Sequence, residues 1–83
     1  MGQGEKRLDQ MRANPRAGWT IDDVRVVCNA VGVTLLKPTV GSHYKVTHAS
    51  QRAILTIPCN RPIKPPYIKR LVEFIDAVKD QSP

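Results

Sequence analysis

The sequence predicts an α+β fold: a three-stranded antiparallel sheet with two helices packed on one face, in the order α-β-β-β-α, preceded by a short N-terminal helical arm. Three observations predict it. Two segments repeat apolar residues every three or four positions, as one face of a helix requires. Between them lie three short apolar and β-branched runs, joined by turn segments too short to carry a crossover, so the strands run antiparallel. Two apolar helix stripes and one sheet face are buried together most simply when both helices cover the same side.

Residues 5–13 read as a short helix with Leu8 and Met11 on one side, stopped by Asn14-Pro15 because the residue before a proline is steered out of helical geometry. With so little apolar surface, residues 1–15 read as a loosely docked arm ahead of a domain at 16–83. Trp19, in the linker, reads as an anchor against the core rather than a platform for base stacking. Thr20-Ile21-Asp22-Asp23 opens the first core helix: the Thr hydroxyl can cap free amides, and the carboxylates suit the positive end of the helix dipole. Ile21, Val24, Cys28 and Val31 then share a face, and Gly32 suits a left-handed cap.

Strands are expected at 33–37, 43–48 and 53–57, separated by turn material at 38–42 and 49–51. The following loop carries Pro58, Pro62, Pro65 and Pro66, whose missing amide donors rule out a regular ladder or helix. Pro65 or Pro66 fits the first turn of the last helix, whose stripe is Ile68, Leu71, Val72, Ile75 and Val78. Double-stranded RNA-binding domains have the same element order.

A chain of 83 residues allows one thin core, and at 41% hydrophobic it has the composition of a folded soluble domain rather than a disordered tail. No apolar run approaches the roughly 20 residues of a membrane-spanning helix. The opening Met1-Gly2-Gln3-Gly4-Glu5-Lys6 carries neither a secretory signal nor a myristoylation pattern, so the expected location is the cytoplasm. Cys28 and Cys59 are expected as free thiols, and two such ligands would not complete a zinc shell. The net charge is +6, and no acidic residue occurs between Val24 and Val72, a stretch that holds Arg25, Lys37, Lys45, Arg52, Arg61, Lys64, Lys69 and Arg70. A polyanionic partner is expected.

Alternation along 43–48 sends His43, Lys45 and Thr47 to one side and Tyr44, Val46 and His48 to the other. Val46 marks the helix side, so His43 and Lys45 face outward. Arg52, Ile54 and Thr56 join them if Ala53, Leu55 and Ile57 face the core. An imidazole can pass a proton either way near neutral pH. RNA brings its own nucleophile, the 2′-hydroxyl, so a positioned base among cations suffices for strand cleavage without metal or cofactor. The cationic middle of the chain offers no carboxylate for magnesium. Ser42, Cys28 and Cys59 lack the strand-turn-helix setting of an activated nucleophile, and no glycine-rich phosphate loop occurs. On these residues alone, an exposed histidine on a basic strand is more often an ordinary surface residue than a catalyst.

Gly41-Ser42-His43-Tyr44, the strand end Leu55-Thr56-Ile57-Pro58, and Pro62-Ile63-Lys64-Pro65 before the last helix resemble the HicA toxin family, over roughly residues 14–78. The resemblance implies the fold of double-stranded RNA-binding domains and a ribonuclease that cleaves messenger RNA, neutralised by a HicB antitoxin covering the catalytic surface. It places the catalytic histidine at His43, presented by the tight turn at Gly41 and Ser42. Lys45 and Arg52, from strand parity, and Lys64, at the helix start, are candidate phosphate contacts or transition-state stabilisers. The chain departs from the family's common pattern at Tyr44, where a second histidine often follows the first, and at Asn60, where a histidine often follows the Ile-Pro turn. An amide can bond a phosphate or orient a base, but it cannot exchange a proton near neutral pH. The resulting expectation is a metal-independent endoribonuclease of a type II toxin-antitoxin system. A non-catalytic RNA-binding module of the same fold and a pure interaction protein are the alternatives.

Overall fold

The structure, a computed structural model, describes residues 2–81, the last by its backbone alone. Met1, Ser82 and Pro83, included in the bounds 1–15 and 16–83, lie outside the described residues. The elements are α1 (Gln3–Ala13), α2 (Ile21–Val31), β1 (Thr34–Leu36), β2 (His43–Thr47), β3 (Leu55–Pro58) and α3 (Pro65–Gln81). The strands form one antiparallel sheet in the order β1-β2-β3.

Side-chain alternation divides the sheet as the pattern of residues requires. Leu35, Tyr44, Val46, Leu55 and Ile57 turn toward the helices, where Val46 and Ile57 are fully buried. Leu36, His43, Lys45 and Thr56 are exposed on the opposite face. The α3 stripe of Ile68, Leu71, Val72, Ile75 and Val78 is buried in the same core as Ile21, Val24, Val27 and Cys28 of α2. Both Cys28 and Cys59 are free thiols.

Local chemistry sets the ends of α2. Thr20 accepts a hydrogen bond from the Asp23 amide at 3.4 Å, and its own amide donates to the Asp23 carboxylate at 2.9 Å, a reciprocal capping box. Gly32, at φ 75°, closes the helix by donating its amide to the Cys28 carbonyl. Trp19 is the anchor its sequence position suggests: the half-buried ring packs on the core, its indole N–H donates to the Asn14 carbonyl at 2.9 Å, and its carbonyl accepts from the Ile63 amide at 2.8 Å. That last bond pins the proline-rich loop to the start of α2.

The N-terminal helix differs from expectation. Rather than a loosely docked arm, α1 is a third packed helix, with Leu8 and Met11 fully buried in the core. The stripe has a third member, Gly4, one turn earlier. A Cβ at Gly4 would stand 2.2 Å from the Ala30 Cβ and 2.8 Å from the Val26 carbonyl oxygen, so only glycine lets α1 and α2 approach this closely. An ion pair from Arg7 to Asp23 (3.3 Å) also joins α1 to α2, and one from Arg12 to Asp76 joins α1 to α3. A glycine contributes nothing to an apolar pattern, and this close approach was therefore not visible in the sequence.

The third strand also begins later than expected. It runs Leu55–Pro58, leaving Arg52, Ala53 and Ile54 outside the ladder. Ala53 is exposed instead of facing the core. Pro58 is tolerated because β3 is an edge strand, where a missing amide donor leaves no partner unsatisfied. Among the described residues, no helix is long and apolar enough to cross a membrane.

Candidate functional site

All seven acidic residues, Glu5, Asp9, Asp22, Asp23, Glu73, Asp76 and Asp80, lie on the three helices. Four of them pair with helical cations: Asp23 with Arg7, Asp9 (2.8 Å) and Asp76 with Arg12, and Asp22 with Arg25 (2.8 Å). The hydrogen bond that Arg12 donates to the Asp76 carboxylate raises the Arg12 pKa. The cations of the strands and loops, Arg16, Lys37, Lys45, Arg52, Arg61 and Lys64, have no carboxylate partner among the described residues. Positive charge is therefore in excess on the strands and loops.

His43 is the first residue of β2 and is exposed on the face the helices leave open. It follows a turn in which Gly41 takes φ 81°, a left-handed conformation that a side chain would strain. Ser42 holds the turn by accepting the Cys59 amide at 2.8 Å, and β2–β3 pairing sets His43 opposite Pro58. Lys45 lies two residues on, on the same face, opposite Leu36 of β1 and Thr56 of β3. His43 and Lys45 line a groove of about 260 Å³ with Leu36, Lys37, Pro38, Thr39 and Val40. No side-chain hydrogen bond orients the His43 imidazole among the described residues. The groove thus gathers one exposed imidazole and two lysine side chains.

The other candidates separate. Asn60 is exposed near the His43 end of the sheet, one residue past the Cys59–Ser42 bond, with its amide on the Pro58 carbonyl at 2.9 Å. Tyr44 is half-buried on the inner face opposite Ile57, as parity predicts. Lys64 is exposed immediately before α3 and does not line the groove.

Arg52 is a correction. It sits in the bend between β2 and β3, beyond Thr47 and so at the opposite end of the hairpin from His43, more than about 13 Å away at 3.4 Å per residue. Strand alternation, which predicts Arg52 beside His43, does not reach residue 52, because β3 begins only at Leu55. His48 lies at that far end too, in a turn where its Nδ1 accepts the Ser50 amide at 3.0 Å and lies 2.7 Å from the Ser50 hydroxyl.

Lys37, Leu36 and Val40 were missed. The run Val33-Thr34-Leu35-Leu36 holds two adjacent leucines, so its outward parity is ambiguous until Leu36 is paired with Lys45. Burial pushes the Cys28 thiol up to about 11, which keeps it protonated and unreactive at neutral pH. Among the described residues, no three His, Cys, Asp or Glu side chains gather closely enough to hold a metal ion. Comparison with family models, with curated proteins and with solved structures returns no match for this chain.

Proposed function

We propose that this chain is a metal-independent endoribonuclease toxin of the HicA kind, with the fold of a double-stranded RNA-binding domain, acting in the cytoplasm on messenger RNA. One observation carries the reading: His43 stands on the open sheet face beside Lys37 and Lys45, while every carboxylate lies on the helices. The Gly41-Ser42-His43 resemblance points to the same residue. His43 accepts the 2′-hydroxyl proton as the 2′-oxygen attacks the neighbouring phosphorus. The P–O5′ bond breaks, and the departing 5′-oxygen takes a proton from the imidazolium or from water. Lys37 and Lys45 neutralise charge building on the phosphorane. A HicB-like antitoxin closes this face, with Leu36 and Val40, 47% and 91% exposed, as apolar footholds.

The test is incubation of the purified protein with RNA in chelator, wild type beside His43→Ala. The expected result is wild-type cleavage, and a variant slower by about a hundred- to ten-thousand-fold with an unchanged Tm. An equally active variant overturns the role of His43. A second reading, a non-catalytic RNA-binding module, is favoured by the absence of any side chain orienting the imidazole among the described residues. Binding without cleavage by the wild type would establish it.

A further inference from the structure

We propose a second RNA subsite, in the trough along the free edge of β1, that holds a nucleotide flanking the one at His43; the proposal rests on reading the chain as RNA-handling. The trough, about 440 Å³, lies between β1 and α2 and is lined by Arg25, Asn29, Gly32, Thr34 and Lys37 among others, none of them acidic. Lys37 also lines the His43 groove, so the two depressions meet at one residue. A strand leaving His43 over the end of β1 enters the trough directly.

The orientation of the nucleotide follows from the end of α2. The Cys28 carbonyl takes both the Gly32 and the Val33 amides, and the last turn of α2 holds no basic side chain. The later carbonyls of the helix are left as acceptors at its negative end. They repel a phosphate from the depth of the trough and favour sugar hydroxyls and base amino groups. Arg25 and Lys37 attract the phosphate to the rim. The Arg25–Asp22 pair does not prevent this, because an exposed pair is weak and a guanidinium has five N–H donors. A peptide strand added to the sheet is the lesser fit: β1 offers three residues of edge, and main-chain hydrogen bonds would have to supply its affinity.

The test measures binding of a labelled single-stranded RNA dodecamer and a trinucleotide as a function of salt, in a His43→Ala background that leaves RNA intact. Arg25→Ala is compared with Lys79→Ala, a cation in the last turn of α3 that lines neither depression. Arg25→Ala is expected to lower the salt slope for the dodecamer by about 0.7, the value for one phosphate contact on a single strand, and to leave the trinucleotide unchanged. Lys79→Ala changes neither. An unchanged dodecamer slope overturns the subsite and leaves the β1 edge to a protein strand. Equal losses with Arg25→Ala and Lys79→Ala, or on both RNAs, overturn it as well. Cleavage is scored separately with His43 intact. An Arg25-dependent slope without cleavage keeps the subsite and defeats the catalytic reading, whereas cleavage with no Arg25 dependence does the reverse. No RNA binding at low salt defeats both.

Discussion

The two faces of the sheet are written in alternate letters of the same strands and have opposite characters. Toward the helices, Tyr44, Val46, Leu55 and Ile57 meet a core that contains no buried polar or charged side chain among the described residues. Away from them, His43, Lys45 and Thr56 are joined by Leu36, 47% exposed. The inner face is stabilised by apolar burial alone. The outer face adds little to folding and holds cations without carboxylate partners. Stability and the proposed chemistry are thus separable, one residue apart along the same backbone.

The strongest challenge to this division is on the inner face. Ile57→Ala empties a fully buried position and is expected to cost about 2–5 kcal/mol in denaturant unfolding. A smaller effect tests the core through pH. Burial raises the Cys28 thiol from 9.0 to about 11, so the folded chain keeps a proton that the unfolded chain loses. The stabilisation is complete below pH 9 and lost as pH rises to about 11, on the order of 2–3 kcal/mol. Cys28→Val should lack this part of the alkaline decline; identical pH profiles would mean the thiol is more accessible than the packing indicates. The smallest effect belongs to the outer face. Lys45→Ala should change stability by less than about 0.5 kcal/mol while lowering the salt slope of RNA binding by about 0.7. A large stability loss there would show that the open face is structural after all.

Much of the fold was legible because periodicity survives without knowledge of neighbours. The stripe of α3, Ile21, Val24 and Cys28 of α2, the Thr20 cap and the inward side of Val46 all follow from local spacing and hydrogen-bonding chemistry, whereas Val27 is fully buried and Val31, expected in the α2 stripe, only half-buried. The docking of α1 did not, since Gly4 acts by the absence of a side chain, and only the opposing Val26 and Ala30 give that absence meaning. The candidate site divides similarly. His43 and Lys45 were legible from parity within one strand. Lys37 and Leu36 required the pairing of β1 with β2, and Arg52 was misplaced because a strand boundary decides how far parity extends.

By itself, then, the sequence determined the buried stripe of α3 and the inward side of β2, where α2 begins and ends, and that the middle of the chain is cationic. These depend on interactions within a few residues. Tertiary structure decided that α1 is part of the core, that Lys37 shares a groove with His43, and that all the acidic residues lie away from it. Those outcomes depend on strand register and on the close approach of helices, which couple residues far apart in the chain.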